Sequence, residues 1–218
     1  MSEHEHNFNK FLSLEKEKQE RIINAAMKEF LVGYKKASTD NMVREAGISK
    51  GLLFHYFGTK ERLYDFLIDY AIDTLQREYL DLINLFQKDI LDSIWQLSLL
   101  KQDLSMRLPS VFDFMTSVYA NLSAESKPAN EKLIRFKQIQ TTTMADVYAH
   151  ADLSLFREDI DAKAAMEIIG WALTGFAESK ITGIPLEQIG KISRENYDLY
   201  VEELKKILGI FRLCFYKN

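Results

Sequence analysis

The stretch from Ser38 to Lys60 places hydroxyl and ammonium groups where short helices are expected to begin. Ser38 and Thr39 are good helix N-caps, because a side-chain hydroxyl accepts hydrogen bonds from the free N–H groups of the first turn. Gly47 suits a helix end that needs a left-handed backbone, and Ser49 can cap the helix that follows. Two short helices joined by a glycine turn predict a helix-turn-helix, whose second helix can enter the major groove of DNA.

The second of these helices is expected to carry the residues that meet the bases. Lys50 lies close to its start and can reach a base edge or a phosphate. Leu52 has no hydrogen-bonding atom in its side chain, so in the groove it can offer only apolar contact, for example to a thymine methyl group.

Residues from the preceding helix onward match the pattern of a known family. The matching residues are Arg21-Ile22-Ile23, Ala25-Ala26, Phe30, Gly33-Tyr34, Arg44–Gly51, Phe54–Phe57, Thr59-Lys60-Glu61 and Leu63. About the first third of the chain thereby resembles the TetR-type bacterial transcriptional regulators. Ala37, Leu52 and Phe54 depart from the usual residues of that pattern.

The resemblance implies which side chains contact DNA. It points to phosphate contacts by Ser38, Thr39, His55, Tyr56 and Lys60. With the residues at the start of the second helix, the expected DNA-binding set is Ser38, Thr39, Ser49, Lys50, Gly51, Leu52, His55, Tyr56 and Lys60.

The charge distribution agrees with a DNA-binding head on an acidic body. The whole chain of 218 residues has a formal net charge of −4. Residues 15–62 contain ten Lys/Arg and seven Asp/Glu, a net charge of +3, which leaves −7 for the rest of the chain. An excess of positive charge of this size is often only a solvated surface. The prediction of DNA binding therefore rests on the motif and not on the charge.

Composition indicates an ordinary globular protein in a reducing compartment. The chain is 47% hydrophobic and 28% charged, as in typical soluble domains. A single cysteine, Cys214, cannot form an internal disulfide, and the first ten residues lack the apolar core of a signal peptide. We therefore expect a cytoplasmic protein.

Apolar residues recur at intervals of three and four along the chain, which predicts an all-α fold of roughly nine helices. We expect a flexible N-terminal arm over residues 1–12 and a helix-turn-helix domain over 13–58. A helical effector-binding and dimerisation domain is expected over 59–218. The helix after Thr59 is expected to link the head to the body.

The last two long helices carry stripes that favour close helix packing. The first stripe consists of small residues with an isoleucine, and the second is a seam of larger apolar residues. By resemblance to the family, both form a four-helix dimer interface of Ala165, Ile168, Ala172, Gly175, Ser179, Val201, Leu204, Leu208 and Phe211. An internal core seam would show the same spacing, and that alternative stays open.

Aromatic and apolar side chains in the middle of the chain suggest an effector pocket, because such residues line ligand cavities. Ordinary core packing is the alternative for each of them. The candidates are Trp95, Phe112, Met115, Tyr119, Phe136, Tyr148 and Trp171.

Enzyme signatures are missing from the sequence. It has no GxSxG elbow, P-loop, GxGxxG or metal-spaced cluster of Cys, His and carboxylates, so we expect no enzyme, no cofactor and no metal site. The resemblance implies a homodimeric repressor of a near-palindromic DNA operator, released by a small-molecule effector. The alternative is an architectural or protein-interaction module of the same fold, binding DNA without such a signal.

Overall fold

Helices make up almost all of the regular structure in the part of the chain that the computed structural model describes, residues 3–83, 88–120, 127–181 and 197–217. Over these ranges the only β-type pairing is an isolated bridge between Phe156 and Tyr216. Short 3-10 turns lie at Leu80–Leu82 and Leu153–Leu155. The ten α-helices are α1 (Glu3–Leu12), α2 (Lys16–Phe30), α3 (Thr39–Ala46), α4 (Lys50–Phe57), α5 (Lys60–Glu78), α6 (Ile90–Arg107), α7 (Pro109–Ala120), α8 (Lys127–Ala149), α9 (Ala162–Ile181) and α10 (Tyr197–Phe215). The all-α prediction is confirmed, with ten helices in these ranges against roughly nine expected.

The N-terminal segment corrects one expectation, because residues 3–12 form a helix and not a loose arm. Phe8 and Phe11 stand three residues apart and therefore share one side of this helix. Phe11 is completely buried. Burial of a phenylalanine side chain contributes about 1.5–3 kcal/mol, which explains why a polar sequence orders here.

The packing divides the chain into two compact units. The first consists of Met1–Gln76 with Leu108–Phe136, and the second of Arg77–Arg107 with Lys137–Asn218. This division does not follow the boundary expected after residue 58, because α5 and α7 pack with the helix-turn-helix.

In the first unit, an aromatic cluster joins the head to α7. The Phe30 ring of α2 lies 4.7 Å from the Tyr64 ring of α5, and the Phe114 ring of α7 lies 5.6 Å from Tyr64, between ring centroids. Lys132 of α8 pairs with Asp65 and Asp69 of α5, at 2.8 Å from each. These contacts give α5 fixed neighbours over its N-terminal part.

The second unit has its own hydrophobic core, formed by Ile90, Leu91, Ile94, Val147, Phe156, Ala165, Ile169, Leu204, Leu208 and Tyr216. A polar cluster at Asp89 holds the end of α10 against the start of α6. The Asp89 carboxylate accepts hydrogen bonds from Arg212 (2.8 Å) and from the Tyr216 hydroxyl (2.9 Å). Burial acts to raise the pKa of Asp89, but these hydrogen bonds outweigh it and hold the pKa below its ordinary value.

No described helix combines the length and the apolarity that crossing a bilayer requires.

Candidate nucleic-acid interface

Helices α3 and α4 form the predicted helix-turn-helix, and both begin where the caps predict. Gly47 ends α3 with φ +66°, in the left-handed region that glycine tolerates best. The Ser49 hydroxyl accepts a hydrogen bond of 3.2 Å from the backbone N–H of Leu52, which fixes the first turn of α4. The sequence therefore predicted both the left-handed residue and the capping hydrogen bond of this turn.

The start of α3 is fixed by a residue that the sequence did not reveal. Ser38 occupies the N-cap position, but its hydroxyl makes no capping hydrogen bond. The Glu29 carboxylate of α2 instead accepts one from the Ser38 backbone N–H at 2.8 Å and one from the Asn41 side chain at 3.2 Å. Glu29 thus satisfies the backbone N–H of the N-cap residue itself, from nine residues away, and not the first-turn N–H groups that the Ser38 hydroxyl was expected to accept from.

A second polar contact ties α2 to α3. The Lys28 ammonium donates a hydrogen bond of 2.7 Å to the Glu45 carboxylate. That hydrogen bond holds the pKa of Glu45 below its ordinary value. Both side chains are more than half exposed, so the pair orients the two helices and adds little stability.

The two sides of α4 differ in exposure. Leu53, Tyr56 and Phe57 are buried against the head, whereas Lys50, Gly51 and His55 are exposed, and Leu52 is half-buried. The exposed side that can enter a groove therefore begins at Lys50 and Gly51, and His55 lies one turn after Gly51. A methyl group built on Gly51 would meet no atom of the described residues within 4 Å, apart from its chain neighbours and the backbone of α4 itself.

Lys50 lies in an ion pair within the head. Its ammonium stands 3.0 Å from the Asp40 carboxylate of α3, and both side chains are about half exposed or more. Such pairs contribute at most about 1 kcal/mol. A DNA phosphate can therefore replace Asp40 as the partner of Lys50 at small cost.

Lys60 and Tyr56 are more enclosed than expected for residues that only touch phosphates. The Lys60 ammonium donates a hydrogen bond of 2.6 Å to the Ala37 backbone oxygen and lies 4.8 Å from the Tyr34 ring centroid. Tyr56 is 7% exposed, and its ring packs 5.8 Å from Phe11. Both residues hold the head together, and a DNA contact by either would be an additional role.

The seven residues predicted to line an effector pocket do not share one environment. Four of them belong to the first unit (Phe112, Met115, Tyr119 and Phe136) and three to the second (Trp95, Tyr148 and Trp171). Met115 and Phe136 are core residues. Trp171 is 70% exposed, so the expectation that it lines an enclosed cavity is wrong for the single chain.

Tyr119 is the pocket candidate with the most distinctive environment. Its hydroxyl oxygen is buried, and no side chain or backbone group of the described residues makes a hydrogen bond with it. Burial raises the pKa of Tyr119 to about 12. A buried hydroxyl without a partner costs roughly 1–3 kcal/mol, which a bound polar group would recover.

The predicted dimer stripes divide into a buried and an exposed part. Val201, Leu204 and Leu208 are buried within the single chain, as is Ala165. Burial in the single chain favours the internal-core alternative for these four, and their place in a dimer interface stays a prediction. Phe211 is half-buried against the same core. The members that remain exposed are Ile168, Ala172, Gly175 and Ser179.

Other exposed apolar residues on α9 and α10 were missed by the stripe analysis. They are Trp171 on α9 and Leu199, Ile210 and Leu213 on α10. Leu213 is 79% exposed. The spacing of Leu199, Ile210 and Leu213 could have been interpreted as a second apolar stripe on α10. The buried stripe is more regular, so a search for periodicity finds it first.

Comparison with known proteins supports the resemblance at the head and across the fold. Residues 22–66 match the family model described as bacterial regulatory proteins, tetR family. A comparison with curated protein sequences found no match.

Solved structures of transcriptional regulators share the fold. KstR2 of Mycobacterium tuberculosis, a ketosteroid transcriptional regulator, is 18% identical with a TM-score of 0.60, over 94% of this chain and 98% of that one. A TetR-family regulator from Chloroflexus aurantiacus J-10-fl is 17% identical with a TM-score of 0.56, over 96% and 98%. SmeT, the repressor of the Stenotrophomonas maltophilia multidrug efflux pump SmeDEF, is 13% identical with a TM-score of 0.54, over 95% and 93%.

Proposed function

We propose that this chain is a TetR-type DNA-binding regulator and that it acts as a homodimeric repressor whose near-palindromic operator is released by a small-molecule effector. The DNA-binding role rests on the exposed side of α4, which carries Lys50, Gly51 and His55. The opposite side of α4 is buried and fixes the helix in the head.

We assign α4 to the major groove and the start of α3 to the phosphates. The Ser38 hydroxyl makes no capping bond, so it is available as a phosphate ligand beside Thr39. Two copies of α4 related by a twofold axis would contact half-sites about one helical turn apart. Selection of duplexes from a random-sequence library by the full chain, followed by footprinting, tests this directly. Recovery of sequences without twofold symmetry would contradict the assignment.

The dimer is assigned to the exposed apolar residues of α9 and α10. Trp171 shares one side of α9 with Ile168, Ala172 and Gly175, since these positions follow helical spacing. A single chain rarely leaves large apolar side chains so open without a partner surface. The small neighbours would allow a helix of the second copy to come close.

The dimer assignment is tested by replacing an exposed residue instead of a core residue. Leu213→Asp should leave the folded single chain intact, because the side chain is 79% exposed. In the dimer the added charge would be buried, at a cost of several kcal/mol. We expect a monomer in sedimentation and a loss of tight operator binding. Met106→Asp is the matched control, since Met106 is also well exposed but lies on α6. A Leu213→Asp protein that stays dimeric would place the interface elsewhere.

The effector is assigned to the neighbourhood of Tyr119, whose buried hydroxyl lacks a partner among the described residues. Because this hydroxyl is buried, a largely apolar molecule with one hydrogen-bonding group would suit the site. A thermal-stability screen with steroids, fatty acids and hydrophobic drugs tests it, because a ligand of the folded state raises the melting temperature. A true effector should also lower DNA affinity, and DNA should lower its affinity by the same factor. Stabilisation that persists fully in Tyr119→Phe would place the site elsewhere, and the absence of any hit would favour a regulator without a small-molecule signal.

A further inference from the structure

Helix α1 lies before residues 22–66, the region that the family model matches. Its inner side faces the recognition helix α4. The ring of Phe11 stands 4.8 Å from Phe57 and 5.8 Å from Tyr56, both on α4, between centroids. It is also 5.6 Å from Phe66 of α5. A single phenylalanine from outside the matched region thus fills the space between α4 and α5.

Phe8 extends the same contact by one turn of α1. Its ring lies 5.3 Å from Phe66 and 6.2 Å from Phe57. Edge-to-face and tilted arrangements at these distances are the favourable geometries for aromatic pairs. The interplanar angles of 71° and 62° fall in that range.

The position of α1 itself is fixed through its connection to α2. The Gln19 side-chain amide donates hydrogen bonds to the backbone oxygens of Leu12 (2.9 Å) and Leu14 (2.7 Å). The Ser13 hydroxyl donates one to the Lys10 oxygen at 2.9 Å. These bonds satisfy carbonyl groups at the end of α1 and hold the angle at which it returns over α4.

The recognition helix needs such support because it is short. It has eight residues, and isolated helices of that length are unstable in water. Its orientation therefore depends on what its buried side touches. Tyr56 and Phe57 form much of that side, and Phe11 contacts both of them.

We propose that α1 is a fourth helix of the DNA-binding head and that Phe11 is a positioning residue for the recognition helix. This inference rests on the proposed role of α4 in DNA binding. Phe11 touches no DNA in this proposal. It acts by keeping α4 in the one orientation that presents Lys50 and His55 to the groove.

The experiment compares Phe11→Leu with Leu12→Ala in the full chain. Phe11→Leu keeps an apolar side chain in the core and removes the ring contacts, so it avoids the unfolding that alanine would risk. Leu12 is on the same helix but well exposed, which makes its replacement the matched control. Amide hydrogen exchange is followed without DNA, and affinity is measured for a duplex that the wild-type chain selects from a random-sequence library.

In Phe11→Leu, protection of the α4 amides from Leu53 to Phe57 should fall about 2- to 12-fold, the worth of one aromatic pair. Amides of α2 should change much less, and duplex affinity should fall with the share of correctly placed α4. Leu12→Ala should change neither. An equal loss of protection in α2 and α4 would show that Phe11 only adds global stability, and unchanged affinity despite loosened α4 would overturn the positioning role. If the wild-type chain selects no duplex, the proposed function fails, and the exchange pattern alone then decides whether Phe11 fixes α4.

Discussion

Gly51 gives the sharpest test of how closely α4 approaches DNA. It lies in the first turn of α4 and is exposed. A methyl group added to its Cα would meet no atom from other elements of the described structure within 4 Å. Its φ is not positive, so alanine fits the backbone. Glycine costs a helix about 0.5–1 kcal/mol relative to alanine. Gly51→Ala should therefore stabilise the free protein by about that amount.

The same methyl group should weaken DNA binding if the first turn of α4 touches the duplex. Extra methyl groups in a well-packed contact cost about 1–3 kcal/mol. That corresponds to a loss of about 5- to 150-fold in affinity. The variant would then be more stable and bind worse, a combination that loss of folding cannot produce.

The assay pairs thermal melting with fluorescence anisotropy on a duplex selected by the wild-type chain. Asn24→Ala is the control, because Asn24 is an exposed residue of α2 outside the proposed DNA set, and alanine also raises helix propensity there. It should gain stability without losing affinity. A Gly51→Ala protein that binds as tightly as the wild type would refute close approach of this turn. A destabilised Gly51→Ala protein would refute the open environment of the glycine.

Three further predictions follow from the polar contacts. Ser38→Ala should leave the melting temperature nearly unchanged, because its hydroxyl makes no capping hydrogen bond. Glu29→Ala should cost about 1.5–3 kcal/mol, because it removes the charged acceptor of the Ser38 backbone N–H; equal losses in both would make the Ser38 hydroxyl the group that fixes the start of α3. Lys60→Ala should cost about 1.5–3 kcal/mol through its lost charged hydrogen bond to Ala37, and the slope of log affinity against log salt should fall by about 0.9 only if Lys60 also binds a phosphate. Asp89→Asn should cost about 1–3 kcal/mol at neutral pH. The pKa of Asp89 is lowered in the folded state. The difference in unfolding free energy between the wild type and Asp89→Asn is therefore fully present above the unfolded pKa of about 4 and should disappear as the pH falls through the folded-state pKa. Urea unfolding at several pH values checks this, and a difference independent of pH would contradict it.

The parts of the head that the sequence predicted are those controlled by neighbours in the chain. Ser49 caps a helix whose first turn it precedes, and Gly47 sets a local dihedral angle, so residue type alone is informative at both positions. Glu29 accepts a hydrogen bond from Ser38 although it lies on another helix. Nothing in the sequence of α2 distinguishes this glutamate from one that faces solvent. Phe11 stands out in the sequence as an apolar residue near the end of a polar segment. Its actual partners, Tyr56, Phe57 and Phe66, depend on how three helices meet.

The choice between the two apolar stripes of the last helices depends on a different physical property. A helix that packs on the core with one side and on a second chain with another carries two apolar stripes, and periodicity finds the more regular one first. On α10 that stripe, with Leu204 and Leu208, is buried in the single chain. The irregular remainder, with Ile210 and Leu213, is exposed. Because burying an apolar side chain lowers the free energy equally in either setting, spacing alone could not assign the stripes. The exposed fraction of each side chain in the single chain distinguishes the two stripes. On that basis we propose the interface at Leu213 and not at Leu208.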